Sequence, residues 1–517
     1  MAANLRRMVV LGPSGTITPG GPHDYRAANN RLFFSDTRTR WARLWADWPT
    51  LEPANGQLDP TRLAALDAQI ARAKRDGLKV VLTLYRFPTW ANGTAAMTPD
   101  QLAATMPDRK TATDPETKAK SLMLRYPDDL SPTSVFGRFL TTLVTRYSRN
   151  NPRRPNVDAV VDFIEVCNEP NYMWWPQQAP SADPANPYAT STITIGDVVA
   201  RMFATAQQIT AQFGGEPMLC GPGTSDTTDG GRLRTAYHSF TERLLPALQA
   251  IGFVAGPRFA WSHHNYTDVT YDQGVGSTFP GAATDPTRLT NRAADTRRRL
   301  AGRWAGWPAA DAANPQVLLT EGGVTLPNVA ARWGITDPAA KLAKQADLLQ
   351  RNWNRMASAT EGAGIAMTAQ YLWYTDPNYD DGVCETFESG GATRPAYRTW
   401  KARPSFQKTQ RRRGARGGYD RPARRSRSSL SPISKNTTAT ARTAATPISA
   451  TAIASAVTVS PPTASTTRPT TNSASAGRKR RREIGRPWPG SAIRTSACSG
   501  RTRRPSRRTP RPSSSGP

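Results

Sequence analysis

Cysteine is scarce: Cys167, Cys220, Cys384 and Cys498 are the only four. Thiols so few and so scattered exclude a disulfide scaffold and a zinc site built from paired ligands. Long apolar runs are missing as well. Nothing approaches the roughly 18 consecutive apolar residues of a membrane span, so no membrane partner is expected. The amino-terminal stretch offers only the short patch Met8 to Gly12 behind Arg6 and Arg7. No secretion signal is recognisable in it, which reads as a cytoplasmic protein, or a secreted one whose true amino terminus is missing. No Gly-x-Gly-x-x-Gly follows an early strand, which leaves the alternative of a doubly wound sheet without its dinucleotide turn. No cofactor and no metal are expected. Acidic residues are in deficit, 39 against 68 Lys and Arg, for a formal charge of +29.

That charge is concentrated at one end. Between Phe406 and Pro517 there are 25 Lys and Arg against Asp420 and Glu483, so this segment carries +23 and residues 1–405 only +6. Built from Arg, Ser, Thr, Pro, Ala and Gly with three aromatics, residues 406–517 cannot bury enough surface to offset the cost of ordering. A disordered basic tail is expected there. A run such as Arg478 to Arg482 would attract nucleic acid or another anionic surface by counterion release. The same bias arises when a GC-rich gene is translated out of frame, so function is sought in residues 1–405.

Those residues alternate short β-type runs with helical patterns. Trp41 to Trp45 reads as a strand. Asp59 then supplies an N-cap and Pro60 the first helical position, followed by Leu63, Leu66, Ile70 and Ala73 on one face and Gly77 as a left-handed stop. Leu78 to Leu84 is a buried-type strand that completes a βαβ unit. The Asp-Pro opening recurs at Asp285-Pro286 and Asp337-Pro338. Further strands fall at 161–167, 217–221, 258–262, 316–320 and 365–373, with helices around 135–148, 197–213, 236–251, 287–304 and 338–357. The first strand is Arg7 to Leu11 or, alternatively, Arg31 to Ser35. Eight such units predict an α/β fold, a (β/α)8 TIM barrel over residues 1–405.

In such a barrel, chemistry sits where strands end. The fourth strand runs out into Asn168-Glu169-Pro170-Asn171, and the seventh into Thr320-Glu321-Gly322. Two carboxylates on one rim are what glycosidic cleavage needs: one protonates the leaving oxygen, while the other attacks the anomeric carbon or activates water. Glu165, inside the fourth strand, competes for these roles but is read as inward in the barrel or paired in its wall. His264 and Tyr266 share a parity, while His263 and Asn265 face the other side, which argues against a metal held by adjacent histidines. Trp41, Arg43 and Trp45 also share a side.

With these residues in view, positions 40–400 resemble the clan of retaining (β/α)8 glycoside hydrolases that includes the cellulase-type endoglucanases and mannanases and the β-xylosidase/iduronidase group. Asn168-Glu169-Pro170 looks like the clan's strand-four motif. The resemblance makes Glu169 the acid/base and Asn168 a partner of the sugar 2-hydroxyl. It makes Glu321 the nucleophile, and it has Tyr266, behind His264, touch that nucleophile. By the same likeness Arg43 holds the nucleophile ionised and Trp373 floors the sugar site. Implied with it are a β-linked carbohydrate substrate and double displacement. Aromatics crowd the expected mouth: Trp45, Trp48, Phe87, Trp90, Tyr172, Trp174, Trp175, Trp373 and Tyr374. Of these, Trp373 and the loop Tyr172, Trp174 and Trp175 are favoured as sugar contacts. The loop Asp376 to Gly382 lacks calcium-loop spacing and is read as solvated rim. A barrel that binds glycans without cleaving them, or a nucleic-acid binder acting through the tail, are the other two readings.

Overall fold

The computed structural model describes residues 5–12, 19–105, 115–177, 194–227, 234–256, 258–272, 291–303, 316–358, 361–376, 380–387 and 390–403. The basic tail, Asp285-Pro286 and Cys498 lie outside the described residues. Eight parallel strands pair in sequence order, and the last pairs with the first, which closes a TIM barrel. They are β1 (Arg6–Val10), β2 (Trp41–Asp47), β3 (Lys79–Tyr85), β4 (Phe163–Glu165), β5 (Met218–Thr224), β6 (Phe259–His264), β7 (Val317–Glu321) and β8 (Ile365–Tyr371). The helices that follow them in turn are α1 (Ala28–Asp36), α2 (Pro60–Arg75), α3 (Val135–Tyr147), α4 (Ile195–Ala211), α5 (Tyr237–Ala250), α6 (Arg292–Leu300), α7 (Pro338–Ala357) and α8 (Pro395–Ala402). The amino-terminal option supplies the first strand, since Arg31 to Ser35 belong to α1.

Local chemistry explains the helix starts. The Asp59 carboxylate accepts from the amides of Thr61 and Arg62, and that of Asp337 from Ala340, each with proline at the first helical position. In α3, Phe136, Phe139, Leu140, Leu143, Val144 and Tyr147 form one buried stripe. Each such side chain contributes about 1.5–3 kcal/mol by leaving water.

Strand alternation sorts side chains into two layers. Ala42, Leu44 and Ala46 of β2 face the helices. Trp41 and Trp45 face the barrel interior beside Met8, Val81, Phe163, Leu318 and Tyr371. Arg43 shares their parity, and at 0% exposure it is a charge inside the barrel. Asp59→Ala is expected to cost about 1 kcal/mol in urea denaturation, and Leu140→Ala about 2–5 kcal/mol. Equal losses would mean that α2 is held by its cap as strongly as α3 is by its buried face.

Candidate active site

Arg43 organises the carboxyl ends of the strands. Its Nε donates to Glu165 Oε2 at 2.7 Å, and one Nη2 hydrogen reaches Asn168 Oδ1 at 2.7 Å. Nη1 pairs with Glu321 Oε1. Trp45 lies 4.3 Å from the guanidinium, face on. Burial alone would lower the arginine pKa, but Glu165 and Glu321 outweigh it and the net shift is upward. Burial would likewise raise Glu165, yet Arg43, His264 and hydroxyl donors bring it below the usual range.

The other end of Glu321 is also engaged: the Tyr266 hydroxyl donates to Oε2 at 2.9 Å. Tyr266 does not sit on the strand as its parity with His264 suggested. β6 ends at His264, and Tyr266 opens a short helix, Tyr266–Thr270, that carries its hydroxyl to Glu321. His264 Nδ1 lies 2.9 Å from Glu169 Oε1 and 3.4 Å from Glu321 Oε2, so one imidazole bridges the two carboxylates. Burial pulls the His264 pKa down, but Glu321 and the bond to Glu169 pull harder, and the net shift is upward. His263 faces the helix layer against the Tyr237 ring at 6.0 Å, and burial pushes it far below the ordinary value. The two neighbours titrate in opposite directions because only one of them faces carboxylates.

Two backbone features deliver Glu169. Its own φ is +44°, in the left-handed region that non-glycine residues rarely occupy, and its amide donates to Gly223 O at 2.9 Å. Gly223 has φ +59°, and a Cβ there would stand 3.0 Å from Cys167 O and 3.3 Å from Glu165 Oε1, so glycine is required by space as well as by conformation. Glu169 is the most exposed of the bridged group, with 12% of its side chain accessible. That exposure leaves it open to an incoming group; Glu321 keeps 6%, while Arg43 is sealed.

One oxygen or nitrogen from each of Glu169, His264 and Glu321 lies within 4.8 Å of the others. A divalent ion could be drawn to such a set. The cation and donors already present meet its needs, however, with Arg43 and Tyr266 on Glu321 and His264 on Glu169. The geometry therefore favours proton transfer and nucleophilic attack.

The structure brings Arg43, Asn168, Glu169, His264, Tyr266 and Glu321 together, with Tyr172 37% exposed on the loop that leaves Glu169. It corrects three aromatic expectations. Trp373 is buried in the outer layer against Phe33, Phe34 and Tyr397, at 5.8, 5.7 and 6.2 Å between ring centroids. β8 ends at Tyr371 and Leu372 takes φ +60°, which breaks the alternation and turns the indole toward the helices. Trp174 packs on Phe87 at 4.8 Å, and Trp175 donates to Ser121 O at 2.8 Å; both are buried in the core. Trp45, expected near the mouth, lies in the inner layer of the barrel together with Tyr371, which parity along β8 could have found.

Asp381 also departs from expectation. It is 1% exposed, with neither carboxyl oxygen hydrogen-bonded, so it is no part of a solvated rim. Burial, with the Glu321 charge adding to it, pushes its pKa well up, toward the neutral form. Its neighbour Asp380 pairs with Arg394 at 2.7 Å.

Arg43→Met removes the cation between two buried carboxylates and is expected to cost about 3–5 kcal/mol at pH 7. The wild-type advantage from the depressed Glu165 is present above the ordinary carboxylate range and is lost as pH falls through its folded value. The deficit of the variant in denaturation should therefore shrink on acidification. A deficit that stays constant as pH falls from about 5 to about 2 would mean that Arg43 contributes by packing alone.

No family model matches the chain, and no curated protein matches it in sequence. Among solved structures it is similar to a GH5_18 from Bifidobacterium longum subsp. infantis, 11% identical over 77% of this chain and 78% of that one, with a TM-score of 0.45. A family 39 glycoside hydrolase from Bacteroides cellulosilyticus WH2 is 14% identical over 77% and 63%, with a TM-score of 0.43. The intracellular xylanase of Thermoanaerobacterium saccharolyticum, in complex with xylotetraose, is 11% identical over 77% and 95%, with a TM-score of 0.41. At such identities and TM-scores the likeness says nothing of the reaction, which is argued from the side chains.

Proposed function

We propose that this protein is a retaining glycoside hydrolase that cleaves β-linked carbohydrate by double displacement, with Glu321 as nucleophile and Glu169 as acid/base. The observation that carries this is the bridging of Glu169 and Glu321 by His264, with an oxygen of each within 4.8 Å of the other. Retaining enzymes hold their carboxyls about 5–5.5 Å apart, whereas inverting ones leave about 6.5–9.5 Å for a water between them. An approach of their oxygens to within 4.8 Å accommodates direct attack.

The roles follow from which oxygens are already taken. Glu321 accepts from Arg43 on one side and Tyr266 on the other, which favours its charged form and aims it. Its carboxylate attacks the anomeric carbon while Glu169 gives its proton to the departing oxygen. Glu169 then takes a proton from water, which displaces Glu321 and releases the sugar. Asn168, fixed through Arg43, is the group we assign to the sugar 2-hydroxyl, with Trp45 and Tyr371 lining the barrel interior beside the site. Among the described residues no helix is long and apolar enough to cross a membrane.

The test is hydrolysis of aryl β-glucosides, xylosides, mannosides and galactosides, with β-glucan, xylan and mannan alongside. Glu321→Ala should lose roughly a thousandfold or more on whichever substrate the wild type cleaves. Glu169→Gln should still be glycosylated by substrates with good leaving groups and should stall at deglycosylation. Equal residual activity in both variants would overturn the assignment, and silence of the wild type on every substrate would favour binding without cleavage.

A further inference from the structure

Glu165 is a carboxylate for which the double displacement has no use, yet it is the most thoroughly bound acid in the barrel. It has no exposure at all. Its Oε2 lies 2.7 Å from Arg43 Nε, 2.5 Å from Nη2 and 2.7 Å from Thr83 Oγ1, and its Oε1 accepts from Thr320 Oγ1 at 2.8 Å. Donors from β2, β3 and β7 thus fix one acid on β4. A guanidinium is planar, with its donors in a rigid fork, so holding the Nε and Nη2 edge fixes the directions of both Nη1 hydrogens. One of them meets Glu321.

The charges count the same way. Three carboxylates, Glu165, Glu169 and Glu321, face two bases, Arg43 and His264. With every group ionised the cluster carries one surplus negative charge, and a single proton removes it. Glu165 has donors on both oxygens and Glu321 has Arg43 and Tyr266, so Glu169, with one partner in His264, is the carboxylate left to hold that proton. The other ionisable neighbours do not enter the count. Burial pushes the thiols of Cys167 beside Glu165 and Cys220 on β5, the Tyr266 hydroxyl and the Asp381 carboxyl well up, toward their neutral forms.

Resting on the proposed hydrolase reading, we infer that Glu165 is a positioning residue of the reaction: it clamps Arg43 so that an Nη1 hydrogen meets the nucleophile, and its charge obliges the site to keep one proton for the leaving group. It touches no substrate. Without its charge the two bases balance Glu169 and Glu321 fully ionised, and the acid is lost at a lower pH.

The experiment is the pH dependence of kcat/KM for wild type, Glu165→Gln and Glu165→Asp on the substrate the wild type cleaves, with circular dichroism to establish folding. Glu165→Gln should move both limbs of the profile toward acid by about one unit, the size expected for one partly screened charge a few ångströms away. Glu165→Asp keeps the charge but withdraws it from Arg43 by one methylene, so its limbs should stay while kcat falls about tenfold or more. Unmoved limbs in Glu165→Gln, limbs that move as far in Glu165→Asp, or wild-type kcat in Glu165→Asp would each overturn the inference. A second readout needs no turnover: the NMR titration of His264, one of four histidines, should shift to lower pH in Glu165→Gln and hold in Glu165→Asp. An inactive wild type with that shift present would sink the hydrolase reading and leave the charge coupling standing, whereas an active wild type without it would do the reverse.

Discussion

A guanidinium with no solvent contact sits inside the barrel, and the rest of the site is arranged around what that costs. Taking Arg43 out of water is tolerable only because two carboxylates, an amide oxygen and an aromatic face replace the solvent it gave up. Those partners come from β2, β4 and β7, strands that meet only when the sheet has closed. The ion network therefore ties closure of the barrel to the geometry of its mouth. A misregistered strand would strand a charge.

Around this fixed point the backbone departs from regularity where the chemistry requires it. Glu169 holds a left-handed conformation, Gly223 has no room for a side chain, and the pairing of β6 with β7 shifts at His264 and Glu321. Each irregularity sits at a strand end, above the packed interior, where the barrel's stability can absorb a cost of order 1–3 kcal/mol per strained residue. Leu372 shows the same device with the opposite result: its positive φ turns Trp373 away from the mouth and into the helix layer.

The split between His263 and His264 illustrates how little of a titration belongs to the residue itself. The two are adjacent, equally buried and chemically identical. One faces a tyrosine ring and is driven neutral, and the other faces two carboxylates and is driven toward its cation. Strand alternation places them, and the charge on the facing strands decides the sign.

Much of this was legible in the chain. The Asp-Pro caps, the apolar helix stripes and the β-rich runs define eight βα units because helix and strand periods are local properties. The alternation along β2 and β6 puts Arg43 and His264 inward for the same reason. The acids at the ends of β4 and β7 follow from strand ends alone. What the chain could not state is which groups share a partner. Arg43 and Glu321 lie 278 positions apart, and Arg43 and Glu165 lie 122 apart, so their pairing exists only across a closed sheet. The fate of the tryptophans was equally hidden, since a single backbone angle at Leu372, or packing against Phe87, decides whether an indole faces sugar or core. Composition and period determine elements and the faces they present. Long-range packing determines which charged groups must neutralise one another, and from that comes the division of labour among three glutamates.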